Sequence, residues 1–259
     1  MPQIEILLSG FPGTSSRCFL GWSGCYLLTT TRGRRLLFDT AGYNERATVI
    51  NSLSRLSAAP QDVDFVVLSH LHFDHAANWD LFPNAEIIVH EREIAYADSG
   101  GADRAVLRYH TPVLRACGRL RLISAETALE DGVQVIPVPG HTPGCIALSV
   151  GKEILCGDAL KSRWDLNGPM AQPVWDADLA RQSIAKLKQL GNASLSRSRY
   201  AARTARGKVA RLWRAWRKGL LPGWQRAVGI ASPSLGDRGA CNAAHHIKPC
   251  TRTPAAFSR

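Results

Sequence analysis

The sequence predicts an α/β fold in which sheets are covered by helices. Its first 191 residues alternate β-rich runs with amphipathic helical segments, and polar groups that suit metal ions follow several of the strands. The length of 259 residues allows one large domain with a substantial core, or one domain plus an appended segment. No apolar run approaches the length of a transmembrane helix.

Short β-rich or apolar runs predict the strands. Residues 4–10 (IEILLSG) predict the first, and residues 25–40 predict a hairpin around a glycine-containing turn. Residues 63–69 (VDFVVLS) predict a buried strand, because the apolar run is unbroken and contains three valines. Four further strands are predicted at 85–91, 132–140, 145–150 and 153–158.

Helical periodicity or composition marks three further segments. Residues 46–57 predict a helix because their apolar side chains share one face: Val49, Ile50, Leu53 and Leu56. Residues 103–117 predict another, which Pro112 should break or kink. Residues 176–191 predict a third, with aspartates at its start to cap it and a glycine at its end.

The charge distribution divides the chain into two parts. Residues 1–191 carry 18 Lys and Arg against 20 Asp and Glu, whereas residues 192–259 carry 14 against 1. The net charge of +11 therefore comes from the last 68 residues. We predict a folded domain at 1–191 and a basic, Arg/Ala-rich tail at 192–259.

Three interpretations of this tail are open. Its Arg, Ala, Gly, Ser and Pro content, with the abrupt loss of apolar periodicity, favours an out-of-frame or otherwise replaced C-terminus. In the second interpretation, residues 206–221 form a basic amphipathic helix that binds nucleic acid or an anionic membrane. The third is a disordered, solvated tail.

The cysteines and the N-terminal residues predict a cytoplasmic protein. The seven cysteines are odd in number and show no CxxC spacing, which indicates reduced thiols. The N-terminal segment lacks the basic and apolar regions of a secretory signal. The oligomeric state is left open.

Metal-binding residue types are concentrated directly after the strand at 63–69. The segment SHLHFDH brings together four of them: His70, His72, Asp74 and His75. Imidazole and carboxylate groups are ligands for zinc, iron and manganese. His70 and His72 can reach one ion from a single turn of loop, while Asp74 and His75 can turn toward a second.

Two later segments extend this pattern. His141 lies in a Pro/Gly-rich loop after one predicted strand, and Asp158 directly follows another. A carboxylate at Asp158 could bridge two ions about 3.5–4 Å apart. A bridged water would lose its proton near neutral pH and become a hydroxide nucleophile.

The order of four motifs resembles that of the metallo-β-lactamase superfamily over about residues 4–191: LLFDT at 36–40, HxHxDH at 70–75, GHT around His141 and GD at 157–158. The resemblance implies an αββα sandwich with a dinuclear metal site at one edge. Because the pattern is lost after residue 191, we expect this chain to lack the usual last strand and helix.

The resemblance also implies a role for each matching residue. Two divalent metal ions are expected, zinc by default, with iron or manganese as alternatives. The first would be held by His70, His72 and His141, and the second by Asp74 and His75. Asp158 would bridge the two, Asp74 would also orient the nucleophile, and Asp39 would support the ligands from behind.

Hydrolysis of a small-molecule ester, thioester or lactone is the implied reaction. Nuclease branches carry a large insertion, and the 17 positions from His141 to Asp158 leave no room for one. Exported β-lactamases usually lack a histidine at the position of His75. In acyl-homoserine lactonases a tyrosine follows the bridging aspartate, whereas this chain has Lys161 and Arg163, which could bind an anionic group of the substrate.

One ligand of the family pattern is missing. A Gly-His should follow the helix at 176–191, but no histidine occurs from 142 to 244, and His245 and His246 lack the Gly-His context. Two alternatives therefore stand beside the hydrolase. One is a hydrolase-fold protein with an incomplete second metal site and little activity, and the other is a scaffold whose basic tail binds a polyanion.

Overall fold

The computed structural model describes residues 1–10, 22–101, 103–161, 165 and 175–190, together with the backbone of 195–196. Apart from that backbone, the predictions for residues 192–259 lie outside the described residues. Within the described residues, no helix combines the length and the hydropathy needed to cross a membrane.

The first sheet of the described chain has six strands in sequential order. The first three pair antiparallel, and the third to sixth run parallel. The carboxyl ends of the parallel strands therefore meet at one edge, where residues 39 and 69 follow neighbouring strands. The strands are β1 (Gln3–Leu8), β2 (Cys25–Thr29), β3 (Arg35–Phe38), β4 (Phe65–Val67), β5 (Glu86–His90) and β6 (Leu120–Ile123).

The second sheet has five described strands, again in sequential order. Neighbouring strands are antiparallel except the last two, which are parallel. These strands are β7 (Thr127–Glu130), β8 (Val133–Pro137), β9 (Ile146–Val150), β10 (Glu153–Leu155) and β11 (Leu195–Ser196).

Helices cover the outer faces of both sheets, so the predicted αββα sandwich is confirmed. The described helices are α1 (Arg46–Arg55), α2 (Phe73–Ala76), α3 (Glu91–Asp98), α4 (His110–Ala116) and α5 (Ala177–Leu190). Helices α1, α3 and α4 contribute apolar side chains to a cluster on the first sheet, and α5 contributes to a cluster on the second. A third apolar cluster fills the space between the sheets.

This layering explains the apolar run that predicted β4. On this strand, Val66 joins the cluster beneath the helices, while Phe65 and Val67 join the cluster between the sheets. A strand that is covered on both faces must be apolar at every position, because neither side of it meets water.

The predicted helices are present, but the extents of two of them differ from the prediction. In α1, Val49 and Leu53 are fully buried, but Leu56 follows the last helical residue and is 38% exposed. The helix predicted at 103–117 was too long, since α4 begins only at His110. Pro112 is tolerated in its first turn, where a backbone donor has no intrahelical acceptor.

Candidate metal centre

The metal-binding residues that the sequence predicted meet at one edge of the two sheets. Residues 70–75 follow β4, His141 follows β8 and Asp158 follows β10. The amide of Ile146 on β9 donates to the Ser69 carbonyl over 2.9 Å, which ties the segment after β4 to the second sheet. Six predicted ligands are buried: His70, His72, Asp74, His75, His141 and Asp158.

Three histidines form the first donor group. One ring nitrogen of each lies within 4.8 Å of those of the other two: His70, His72 and His141. Nε2 of His141 lies 3.1 Å from Nδ1 of His72. Two imidazole nitrogens that bind one tetrahedral zinc ion at about 2.0–2.1 Å would lie about 3.3 Å apart. The observed spacing therefore suits a shared cation.

The second donor group combines histidine and carboxylate: His70, His75 and Asp158. Nε2 of His75 lies 3.3 Å from Oδ1 of Asp158 and 3.9 Å from Oδ2 of Asp74. The other oxygen of Asp158, Oδ2, lies 3.4 Å from Nε2 of His141. The two oxygens of Asp158 thus face different donor groups, which is the arrangement that a bridging carboxylate needs.

Three buried ring nitrogens at this centre make no hydrogen bond to the described residues: Nε2 of His70, Nδ1 of His141 and Nε2 of His75, the last of which faces Asp158 as an ion pair at 3.3 Å. A buried polar atom without a partner costs free energy, so it calls for an explanation. Burial also lowers the pKa of His70 and of His141 well below the ordinary value. Both rings are therefore neutral near pH 7 and have a lone pair to offer a metal ion.

His75 is surrounded by negative charge. Burial alone would lower its pKa, but three carboxylates outweigh burial and raise the pKa to about 10: Asp39, Asp158 and Asp74. The excess of carboxylate charge calls for a cation at this position. Together with Nε2 of His70, which is buried and makes no hydrogen bond to the described residues, it shows that the residues present fit a divalent metal ion.

Asp39 and Ser69 support the histidines from behind. Oδ2 of Asp39 lies 2.7 Å from Nδ1 of His75 and accepts the hydroxyl of Ser69 over 2.9 Å. The same Ser69 hydroxyl oxygen lies 2.9 Å from Nδ1 of His70. One carboxylate therefore holds His75 directly and His70 through Ser69. When Nδ1 carries the proton, Nε2 of each ring is left for metal.

His72 is held by a residue that the sequence analysis missed. Its Nε2 lies 3.0 Å from Oδ2 of Asp103, and the Tyr96 hydroxyl donates to the same oxygen over 3.1 Å. The His72 contact holds the pKa of Asp103 well below its usual range. Asp103 lies 31 positions from His72 in no recognisable motif, so the sequence carried no signal for it.

Lys161 lies inside the centre, whereas Arg163 is outside the described residues. Nζ of Lys161 is 3.1 Å from Oδ2 of Asp158, and the side chain is mostly buried. Lys161 also lines a small pocket that is partly open to solvent, together with His141 and Ser183. An ammonium group thus lies beside the predicted metal ligands, paired with Asp158.

The family model of the metallo-β-lactamase superfamily matches residues 23–193. This span contains all six predicted ligands and Asp39. The chain therefore belongs to the metallo-β-lactamase superfamily, as its motifs predicted.

Curated relatives of the chain include lactonases. An N-acyl homoserine lactonase of Bacillus sp. is 30% identical over 151 residues, which cover 56% of this chain and 58% of the relative. One from Bacillus cereus is 27% identical over 198 residues, covering 64% and 75%. A probable metallo-hydrolase of Methanocaldococcus jannaschii is 25% identical over 157 residues, covering 60% and 66%. The chain thus spans little more than half the length of the first of these relatives.

Solved structures support the fold. A mutant Bacillus thuringiensis enzyme with N-decanoyl-L-homoserine at its active site matches with a TM-score of 0.61 and 22% identity, over 76% of this chain and 91% of that one. A dizinc quorum-quenching lactonase in complex with its product matches with a TM-score of 0.52 and 23% identity, over 66% and 70%.

Proposed function

We propose that this chain is a metal-dependent hydrolase that opens a small lactone or cleaves a related ester or thioester, by means of a hydroxide bridging two divalent ions, most simply zinc. The observation that carries the proposal is Asp158, whose two carboxylate oxygens face two buried histidine donor groups. The lactonase names of the Bacillus relatives support the choice of substrate class.

The ions, when bound, would polarise the substrate carbonyl and lower the pKa of water, so that hydroxide is available near neutral pH. The first ion would be held by His70, His72 and His141, and the second by Asp74, His75 and Asp158. The Asp74 carboxylate would also orient the attacking water and accept its proton. Asp39 and Ser69 would keep the metal-facing nitrogens unprotonated by holding the proton on Nδ1.

Lys161 would contribute a positive charge at the wall of the pocket. Its ammonium lies beside Asp158 and can donate a hydrogen bond to an oxygen of a substrate seated over the centre. A lysine in place of the tyrosine of acyl-homoserine lactonases adds positive charge. We therefore expect the preferred substrate to carry a carboxylate or another anionic group near the reacting carbonyl.

Metal content is the first test of this proposal. The full-length chain, purified without chelator, should contain two divalent ions per chain by elemental analysis. It should also hydrolyse members of a panel of lactones, esters and thioesters in a pH-indicator assay. His141→Gln should lose both metal and activity, whereas His110→Gln should lose neither, because His110 contacts Tyr43 outside the centre. A chain without metal or activity would contradict the proposal.

A second candidate function is a hydrolase fold with an incomplete second metal site. Among the described residues, the second donor group adds only one histidine, His75, to those of the first group. One metal ion per chain, with hydrolysis near the uncatalysed rate, would favour this candidate over the dinuclear hydrolase.

A further inference from the structure

The carboxylate of Glu93 is buried next to the metal centre and has no part in the proposed reaction. Glu93 lies on α3 and is fully buried. Its Oε1 accepts the amide of Leu71 over 3.1 Å, and its Oε2 accepts the amide of Gly144 over 3.0 Å. Both oxygens of a costly buried carboxylate are thus used by backbone amides of distant segments.

The two amides belong to the two loops that carry the three-histidine group. Leu71 lies between His70 and His72 on the loop after β4, and Gly144 follows His141 on the loop after β8. These loops come from different sheets of the sandwich. A single side chain therefore joins the backbones that carry all three histidines.

The backbone at Gly144 packs so closely against the Glu93 backbone that the loop after β8 has little room to shift relative to α3. A Cβ at this position would lie 2.4 Å from the Glu93 backbone nitrogen, far inside van der Waals contact. The loop after β8 thus lies directly on the first turn of α3. Burial raises the pKa of Glu93, and the amides of Leu71 and Gly144 act against that rise, since they stabilise the carboxylate form.

Helix α3 reaches the same histidines by a second route. Tyr96, three positions after Glu93, donates to Asp103, which in turn contacts the ring of His72. Residues three apart lie on the same face of a helix. One face of α3 therefore contacts the loop backbones through Glu93 and a ligand ring through Asp103.

We propose that Glu93 is a positioning residue that clasps the two histidine loops at the separation required by the metal ion, so that the three-histidine group is formed before metal binds. The inference rests on the proposed function, because it takes His70, His72 and His141 as the ligands of one ion. Glu93 acts through the backbone of their loops and touches neither metal nor substrate.

Cobalt binding to the metal-free, full-length chain tests the clasp. Glu93→Gln keeps the size of the side chain. The glutamine amide has only one acceptor oxygen, however, so it can accept from the amide of Leu71 or from that of Gly144, but not from both. Co²⁺ affinity should fall about 10–100-fold, as is typical when a group behind a metal ligand is lost, and the visible absorption bands of bound Co²⁺ should change. Glu91→Gln is the matched control, with the same charge change on the exposed face of α3, and it should behave as the wild type.

Wild-type affinity and absorption bands in Glu93→Gln would overturn the inference. A second measurement needs no variant: amide hydrogen exchange of Leu71 and Gly144 in the metal-free wild type. Slow exchange of both amides supports the clasp, and rapid exchange of either overturns it, even if Glu93→Gln fails to fold. A wild type that takes up no Co²⁺ contradicts the proposed function instead, and amide exchange then still decides whether the clasp exists.

Discussion

Oδ2 of Asp39 lies 2.7 Å from Nδ1 of His75, and both side chains are fully buried. The pair joins the end of β3 to the segment after β4, which are parallel neighbours in the first sheet. Because Asp39 also accepts the Ser69 hydroxyl, its charge reaches His70 as well. One carboxylate therefore orients rings in both donor groups.

Asp39→Asn should weaken metal binding about 10–100-fold, because an amide cannot accept from Ser69 and His75 as the carboxylate does. Metal affinity would be measured by competition with a chromophoric chelator on the full-length chain. Asp98→Asn is the control, since Asp98 is exposed and pairs with Arg115 at the surface. Equal affinities of the two variants would contradict the role of Asp39.

Gly157 should be required next to Ser69, and Gly151 provides a matched comparison. Both have positive φ, +51° and +60°, so alanine at either should cost about 1–2 kcal/mol of stability. A Cβ at Gly157 would lie 2.8 Å from the Ser69 Cβ, whereas nothing lies within 4 Å of one at Gly151. Gly157→Ala should therefore cost about 1–3 kcal/mol more than Gly151→Ala.

Urea unfolding of the metal-free variants measures this difference, and metal competition adds a second readout. A displaced Ser69 should lower metal affinity in Gly157→Ala, while Gly151→Ala keeps the wild-type affinity. Equal stability and equal metal affinity of the two alanine variants would contradict this prediction, because they would show that Ser69 can move away from a Cβ at position 157 without cost.

Removal of the Lys161 ammonium should strengthen metal binding. Its positive charge lies beside Asp158 and, after burial, contributes to lowering the pKa of His141, so it should also repel a cation held by the three histidines. Lys161→Met should raise zinc affinity about tenfold, equivalent to about 1.4 kcal/mol. Lys152→Met, an exposed lysine between β9 and β10, is the control and should leave the affinity unchanged.

The same variant tests the expected substrate. Lys161→Met should raise KM for an ester that carries a carboxylate near the reacting carbonyl, with little effect on KM for a neutral ester of the same size. A similar change of KM for both esters would contradict the proposal that Lys161 recognises an anionic group. Unchanged zinc affinity in Lys161→Met would contradict the prediction that the ammonium repels the metal ion.

The sequence predicted those parts of the centre that are encoded locally. HxHxDH places four predicted ligands within six positions, and the apolar run before it marks a strand, so these residues and their setting at a strand end could both be predicted. Sheets covered by helices could also be inferred, because strands covered on both faces read as continuous apolar runs, whereas the αββα order of the layers came from the resemblance to the superfamily.

Of the supports behind the predicted ligands, Asp39 could be predicted because it belongs to the LLFDT motif, but Glu93 and Asp103 could not, because each acts across a long stretch of sequence without a motif. Glu93 contacts amides 22 and 51 positions away, and Asp103 contacts a ring 31 positions away. Neither belongs to a motif, and only the packing of α3 onto the loops brings them to the centre. Helix α3 itself was missed, since its eight residues are too few for a clear periodic pattern.

We expect His90 to make the stability of the fold depend on pH, independently of the metal centre. It is buried at the start of α3, where its Nδ1 accepts the amide of Arg92 over 3.2 Å. Burial and the charge of Arg92 lower its pKa below 6.5, against the opposing charge of Glu91 and a hydrogen bond with the backbone of Ser124. The unfolded chain therefore binds this proton more readily than the folded one.

Because the unfolded chain binds this proton more readily, acidification should lower the free energy of unfolding. The contribution of neutral His90 is fully present above about pH 6.5 and is lost as the pH falls below this value, by about 1.4 kcal/mol for each unit of pKa lowering. His90→Asn should keep a helix cap without a titrating group. Urea unfolding in the presence of chelator between about pH 5.5 and pH 7.5, about one unit either side of 6.5, should show a shallower loss of stability on acidification for this variant than for the wild type. Parallel curves for the two proteins would show that His90 does not contribute to the acid sensitivity of the fold.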